Sequence, residues 1–193
     1  MSADGGSQAD ADALAHHLVL DMDGTLIAAG TAEPYARPGL EIFLAIVFAW
    51  RACGALASVG LWTGASAAWV ARVHDAALRP ALDGAAARLG HASGALEWDY
   101  VAYARGSGGC VARAKPLDEL ARSLTGRSLR MNVSTMWLVD DTPAVAVCNG
   151  SAWVPIASYA RGPCDELARV ARELAARIGA VLPRDSAPHA ESV

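Results

Sequence analysis

The chain has 193 residues, 53% hydrophobic and 19% charged, with a formal net charge of −4. A chain this apolar buries a core, so wholesale disorder is excluded, and the length suits one domain. No basic block marks a nucleic-acid surface, and the acidic, polar N-terminus lacks the charged-then-apolar order of a signal peptide.

Residues 1–13 and 183–193, rich in Ser, Ala, Asp and Pro, read as flexible tails around a domain at 14–182. Leu18–Leu20 is a short apolar run ending at Asp21 and reads as a buried strand. A helix is predicted from Pro38, as a first-turn proline, to about Ala49, closing near Gly54. Ala57–Trp62 is a second buried strand, followed by Thr63 and Gly64. Ser66 caps a further helix expected to end before Pro80. Residues 81–113 read as irregular and Gly-rich, with room for a small insertion. Leu117–Leu124 is a helix, Met136–Val139 a strand ending in Asp140 and Asp141, and Ala152–Ile156 one more strand. Asp165–Ile178 has apolar residues at helical spacing. Strands separated by helices predict an α/β, Rossmann-like parallel sheet with helices on both faces.

The most apolar stretch, Ile42–Trp62, is interrupted by Arg51, Gly54, Ser58 and Gly60. A membrane span needs about 20 nearly uninterrupted apolar residues, so a buried helix followed by a buried strand fits better and no membrane partner is expected. Cys53, Cys110, Cys148 and Cys164 form no C-x-x-C pair and no metal-type spacing with His. They read as reduced, mostly buried thiols of a cytoplasmic or nuclear protein that is not secreted. His16 and His17 read as structural, and the six tryptophans as core.

In a doubly wound sheet, ligands bind beyond the carboxyl ends of the strands. Asp21 with Asp23, Thr63, and Asp140 with Asp141 all follow predicted strands, and Lys115 leads the next helix. Clustered carboxylates repel unless a cation lies among them. Hard oxygen donors suit Mg²⁺, which completes its octahedron with water and substrate phosphate. Of 16 basic residues, Lys115 is the single lysine. An ammonium approaches a phosphate as a compact point charge. Together these groups favour phosphoryl transfer.

The run L-V-L-D-M-D-G-T-L at 18–26 resembles the first motif of the haloacid dehalogenase (HAD) superfamily of phosphotransferases. Trp62-Thr63 resembles the second motif, Lys115 the third, and Val139-Asp140-Asp141 the fourth. R-P-G-L-E-I-F-L at 37–44, Y-A-R before Cys110, K-P-L-D-E-L at 115–120, and Asn149 with a following V-P-I are similar to the small C-terminal-domain phosphatase and NLI-interacting-factor branch. That branch tends to have Glu, Asp and Asn where Gly24, Pro116 and Asp141 stand; Gly24 and Asp141 match the wider superfamily.

The resemblance implies roles. Asp21 is the nucleophile that forms an aspartyl-phosphate. Asp23 is the general acid and base. Thr63 donates its hydroxyl to the phosphoryl group, and Lys115 neutralises charge. Asp21, Asp23 through its carbonyl, Asp140 and Asp141 hold Mg²⁺. Gly24, Thr25, Gly64 and Arg105 are candidates for binding the substrate. Enzymes of this superfamily often carry a cap between the first and second motifs, or between the second and third. The 30 residues between Leu26 and Ala57 and the 51 between Thr63 and Lys115 leave no room for a large one. The expected substrate is therefore a phosphorylated protein or peptide. A capless phosphatase of small phosphate esters and a non-catalytic binding module are the alternatives.

Overall fold

The computed structural model describes residues 15–104, 115–125 and 131–182. Strand β1 is His16–Leu20, helix α1 Leu40–Ala52 and strand β2 Leu56–Thr63. Helix α2, Ala67–Val73, runs through a π turn at His74–Leu78 into α3, Arg79–Arg88. Strand β3 is Tyr100–Tyr103, α4 Leu117–Thr125, and β4 Met136–Asp140. Helix α5, Val145–Asn149, strand β5, Trp153–Pro155, and helix α6, Glu166–Ile178, complete the order.

All neighbouring strands are parallel, in the order β3-β2-β1-β4-β5. Each central strand feeds alternate side chains to opposite faces. Leu18 and Leu20 join one core with Val59, Leu61 and Val139; Val19 joins the other with Trp62, Met136 and Leu138. Helices α1, α3 and α6 cover the first face, and α4 the second. Their sequences show why. In α4 Leu117, Leu120, Ala121 and Leu124 form one stripe, and in α6 Leu167, Val170, Ala171, Leu174 and Ile178 form another. The architecture is the Rossmann-like α/β sheet that the strand–helix alternation predicts.

Several local expectations change. The first long helix starts at Leu40 rather than Pro38, because Gly39 takes a left-handed conformation (φ 78°) at its N-cap. The helix after Ser66 does not end before Pro80. At the π turn the Arg79 N–H bonds to the His74 carbonyl, five residues back, and Pro80 falls in the first turn of α3, where a missing N–H costs least. The part of 81–113 that is described is not irregular throughout: 81–88 is helical and Tyr100–Tyr103 is an edge strand. Gly60 lies within a strand, as expected. It sits inside β2 because a Cβ there would lie 2.2 Å from the Tyr100 ring.

The described cysteines are free, but Cys53 and Cys148 are exposed and Cys164 half-buried, which corrects the expectation of buried thiols. Cys53 lies at the C-cap of α1 and Cys148 in α5, a helix whose one buried residue is Val145. Cys110 lies outside the described residues. Trp50 and Trp62 are core, whereas Trp69, Trp98, Trp137 and Trp153 are only partly buried. No helix among the described residues is long and apolar enough to cross a membrane.

Candidate active site

The strand order reverses at β1: the chain moves outward to β2 and β3, then returns to place β4 on the other side. Such a switch point opens a crevice at the carboxyl ends of the strands, since the flanking connections leave in opposite directions. Leu20 pairs with Val139 on one side and with Leu61 on the other. Asp21 and Asp140 therefore emerge side by side, with Thr63 at the end of the next strand. The Asp21 N–H, bonded to the Val139 carbonyl at 2.9 Å, extends the ladder into the site.

Lys115 closes the cluster from a distant part of the sequence. Its Nζ donates to Asp21 Oδ1 and, at 2.8 Å, to Asp140 Oδ2. All three side chains are buried. Asp140 Oδ1 accepts the Thr142 N–H at 2.8 Å, and Asp140 is wholly shielded from solvent. Lys115 itself has a left-handed backbone, φ 42°. A non-glycine residue there is strained, and persists only where its surroundings hold it. Asn149, at the end of α5, supplies that hold. Its Nδ2 donates to the Lys115 carbonyl at 3.0 Å and its Oδ1 accepts the Leu117 N–H at 2.9 Å.

Among the described residues, carboxylates outnumber the ammonium that pairs with them in this cluster. Asp21, Asp140 and Asp141 can bring one oxygen each within 4.8 Å of one another, against the single ammonium of Lys115. Burial pushes the Asp21 carboxyl up to about 7; Lys115 pulls it down and Asp140 pushes it up. The Lys115 ammonium lies above its usual range: burial opposes this, but Asp21 and Asp140 outweigh it. Three close carboxylates are the donor set a small hard dication takes, so these residues fit Mg²⁺.

The loop after β1 has its own anchors. Gly24 adopts φ 81°, and a Cβ there would lie 2.1 Å from Asp141 Oδ2 and 2.9 Å from Ser158 Oγ. Glycine is thus required twice, for its backbone and for the close approach of Asp141. The Gly24 carbonyl accepts from the Tyr159 N–H at 2.9 Å and from the Arg37 guanidinium, which also donates to the Ala157 carbonyl at 2.6 Å. Arg37 is 1% exposed and so ties this loop to the loop after β5 from below.

Thr63 is buried, and its Oγ1 accepts the Ala65 N–H at 3.1 Å, which leaves the hydroxyl proton available to donate. Asp23 is half-buried; its Oδ1 accepts from the Trp69 indole at 2.8 Å. Burial raises its carboxyl above the usual range, while Trp69 and Lys115 pull it down. The Asp23 side chain is not in the group of three carboxylates. Thr25 is fully buried, with its hydroxyl shut off from solvent, and Gly64 is exposed. Arg105 lies outside the described residues. The sequence reading missed Arg37, Trp69 and Ser158 as parts of the site. Of these, only Arg37 left a trace, as the first residue of the R-P-G-L run.

No protein-family model matches the chain, and no curated protein matches it. Among solved structures, it is similar to a probable YrbI family phosphatase from Pseudomonas syringae pv. phaseolica 1448A. The two share 15% identity at a TM-score of 0.44, over 88% of this chain and 87% of that one. The fold rests on the strand order and register, and the chemistry on the residues gathered at the switch point.

Proposed function

We propose that this chain is a Mg²⁺-dependent phosphatase of the HAD type that hydrolyses phosphoserine or phosphothreonine in proteins through an aspartyl-phosphate. The observation that carries this reading is the bridge from Lys115 Nζ to Asp21 and Asp140, with Asp141 close by. A buried lysine shared by two carboxylates at a sheet's switch point is a costly arrangement for stability alone. It is well suited to holding a phosphoryl group next to a nucleophile.

Asp21 attacks phosphorus as the ester P–O bond breaks, and Asp23 gives its proton to the departing oxygen. Asp23, now a carboxylate, takes a proton from water. The water oxygen attacks the same phosphorus, the bond to Asp21 breaks and inorganic phosphate leaves. Lys115 is held against Asp21 throughout, and Thr63 has a hydroxyl proton to offer a phosphoryl oxygen. Asp21, Asp140 and Asp141 would hold Mg²⁺. Bound there, it supplies the charge that lets an anionic nucleophile approach an anionic ester.

The choice of a protein substrate is supported by the connections around the site. Among the described residues, the helices between β1 and β2 and between β2 and β3 are α1, α2 and α3, and their buried residues join the core. These helices form no separate cap domain, and a site without a cap suits a phosphorylated side chain on a protein.

The deciding assay measures release from a chromogenic aryl phosphate with and without Mg²⁺. Metal-dependent turnover that Asp21→Asn abolishes is the expected result; undiminished turnover in Asp21→Asn refutes the nucleophile. A panel of phosphopeptides against sugar phosphates tests the substrate class, and better activity on the sugars overturns it.

A further inference from the structure

Trp69 stands 46 residues from Asp23 in sequence, on a different element, yet its indole Nε1 donates to Asp23 Oδ1 at 2.8 Å. The ring is fixed from several directions. Ser66 Oγ accepts the Trp69 N–H at 3.3 Å and starts the helix. The Arg72 guanidinium stacks 5.1 Å from the Trp69 ring centroid, and Arg72 donates in turn to the Ala32 carbonyl at 2.7 Å. Ala32 lies in the connection that follows the Asp23 loop. The indole is therefore clamped between α2 and the segment that carries the acid.

An indole N–H donates and cannot accept. An oxygen that accepts from it is committed as an acceptor and is a poor place for a proton. Resting on the phosphatase reading above, we infer that Trp69 is a positioning residue: its N–H holds Asp23 Oδ1 and leaves Oδ2 as the oxygen that hands its proton to the leaving group. One carboxylate rotamer is selected and one oxygen is presented. The transfer balances: the Oδ2–H bond breaks, the proton joins the departing ester oxygen, and Asp23 is left as a carboxylate. Removing the indole N–H frees the carboxyl to rotate and lets the proton sit on either oxygen.

This role matters in proportion to the need for a proton. An alkoxide leaving group must be protonated as it departs, whereas a nitrophenolate leaves readily without help. The test measures kcat/KM for glycerol 2-phosphate and for 4-nitrophenyl phosphate, a constant that reports the first phosphoryl transfer. It uses the full chain, Trp69→Phe, and a chain with β-(3-benzothienyl)alanine at position 69, which keeps the ring's shape but has no N–H.

In both variants the ratio of aryl to alkyl kcat/KM rises by about 10- to 100-fold, within the range general acids contribute. A ratio unchanged in the benzothienyl variant overturns the inference, whatever Trp69→Phe does, because shape alone then suffices. If the wild type hydrolyses neither ester, the phosphatase reading fails separately. The hydrogen bond is then read from the Trp69 indole ¹⁵N–¹H resonance, and a signal unmoved by Asp23→Ala overturns the positioning role by itself.

Discussion

Gly24 leaves no space between itself and Asp141: a Cβ on Gly24 would lie 2.1 Å from Asp141 Oδ2. The loop that carries Asp21 and Asp23 is thereby set against the end of β4. Gly24→Ala meets two costs, the left-handed backbone at φ 81° and the clash with a carboxylate. The first alone is about 1–2 kcal/mol. The variant is expected to unfold at lower denaturant and to bind Mg²⁺ more weakly by calorimetry. Gly24→Ala with Asp141→Ala recovers part of the stability but none of the metal affinity. A single variant with unchanged Mg²⁺ affinity contradicts the role given to Asp141.

Among the described residues, Lys115 is the cation that pairs with the two buried carboxylates Asp21 and Asp140. Truncating one partner of such a buried cluster costs about 3–5 kcal/mol, because the partners stay buried and unpaired. Lys115→Met is expected to lower stability by that order and to cut kcat by about 10²–10³-fold, as loss of a preorganised charge does. Lys115→Arg restores the charge but not the compact shape, and activity stays low. Full activity in Lys115→Arg would contradict this.

Asn149 acts on the same lysine through its backbone. Asn149→Ala removes the partners of the Lys115 carbonyl and the Leu117 N–H. The strained φ of 42° at Lys115 then has less to hold it. The expected outcome is a drop of about 1–3 kcal/mol in stability, with kcat reduced more than KM is raised. An effect on KM alone would place Asn149 at the substrate instead.

Acidity and metal should be linked. The Asp21 carboxyl is raised to about 7 in the metal-free protein. A carboxyl with a raised folded pKa binds more protons folded than unfolded, so metal-free stability falls as pH rises from about 4 to about 7. Above that window the cost is fully present, and a cation bound at the cluster offsets it. Mg²⁺ at a hundredfold excess over its Kd is expected to stabilise by about 2.7 kcal/mol at about pH 8 and much less at about pH 5. Asp21→Asn reduces this pH dependence, and what remains belongs to groups such as Asp23, whose carboxyl burial also raises. Thermal unfolding with and without Mg²⁺ across that range decides it.

A buried guanidinium holds the floor of the site. Arg37 pairs with the Gly24 and Ala157 carbonyls, and its own charge is disfavoured by burial, which lowers its pKa from the usual value. Arg37→Met removes a donor from the Ala157 carbonyl, at about 1–3 kcal/mol, while the Gly24 carbonyl keeps the Tyr159 N–H. The melting temperature and kcat are expected to fall together. A loss of activity without loss of stability would place Arg37 in contact with substrate.

The sequence alone determined the sheet and its chemical edge. Leu18–Leu20, Ala57–Trp62 and Met136–Val139 are short, largely apolar runs that suit strands buried on both faces, and each is followed at once by a polar residue. That local pattern placed Asp21, Thr63 and Asp140 on one rim. Tertiary structure decided the rest, because the rest depends on contacts between distant residues. Strand β3 pairs on one side only and is four residues long, too short to show a period. The π turn that carries the chain through Pro80 comes from packing rather than composition. Trp69 reaches Asp23 across 46 residues, and Arg37 reaches Ala157 across 120. A strand announces itself through its own side chains, but a hydrogen bond between two loops exists only once the sheet between them has formed.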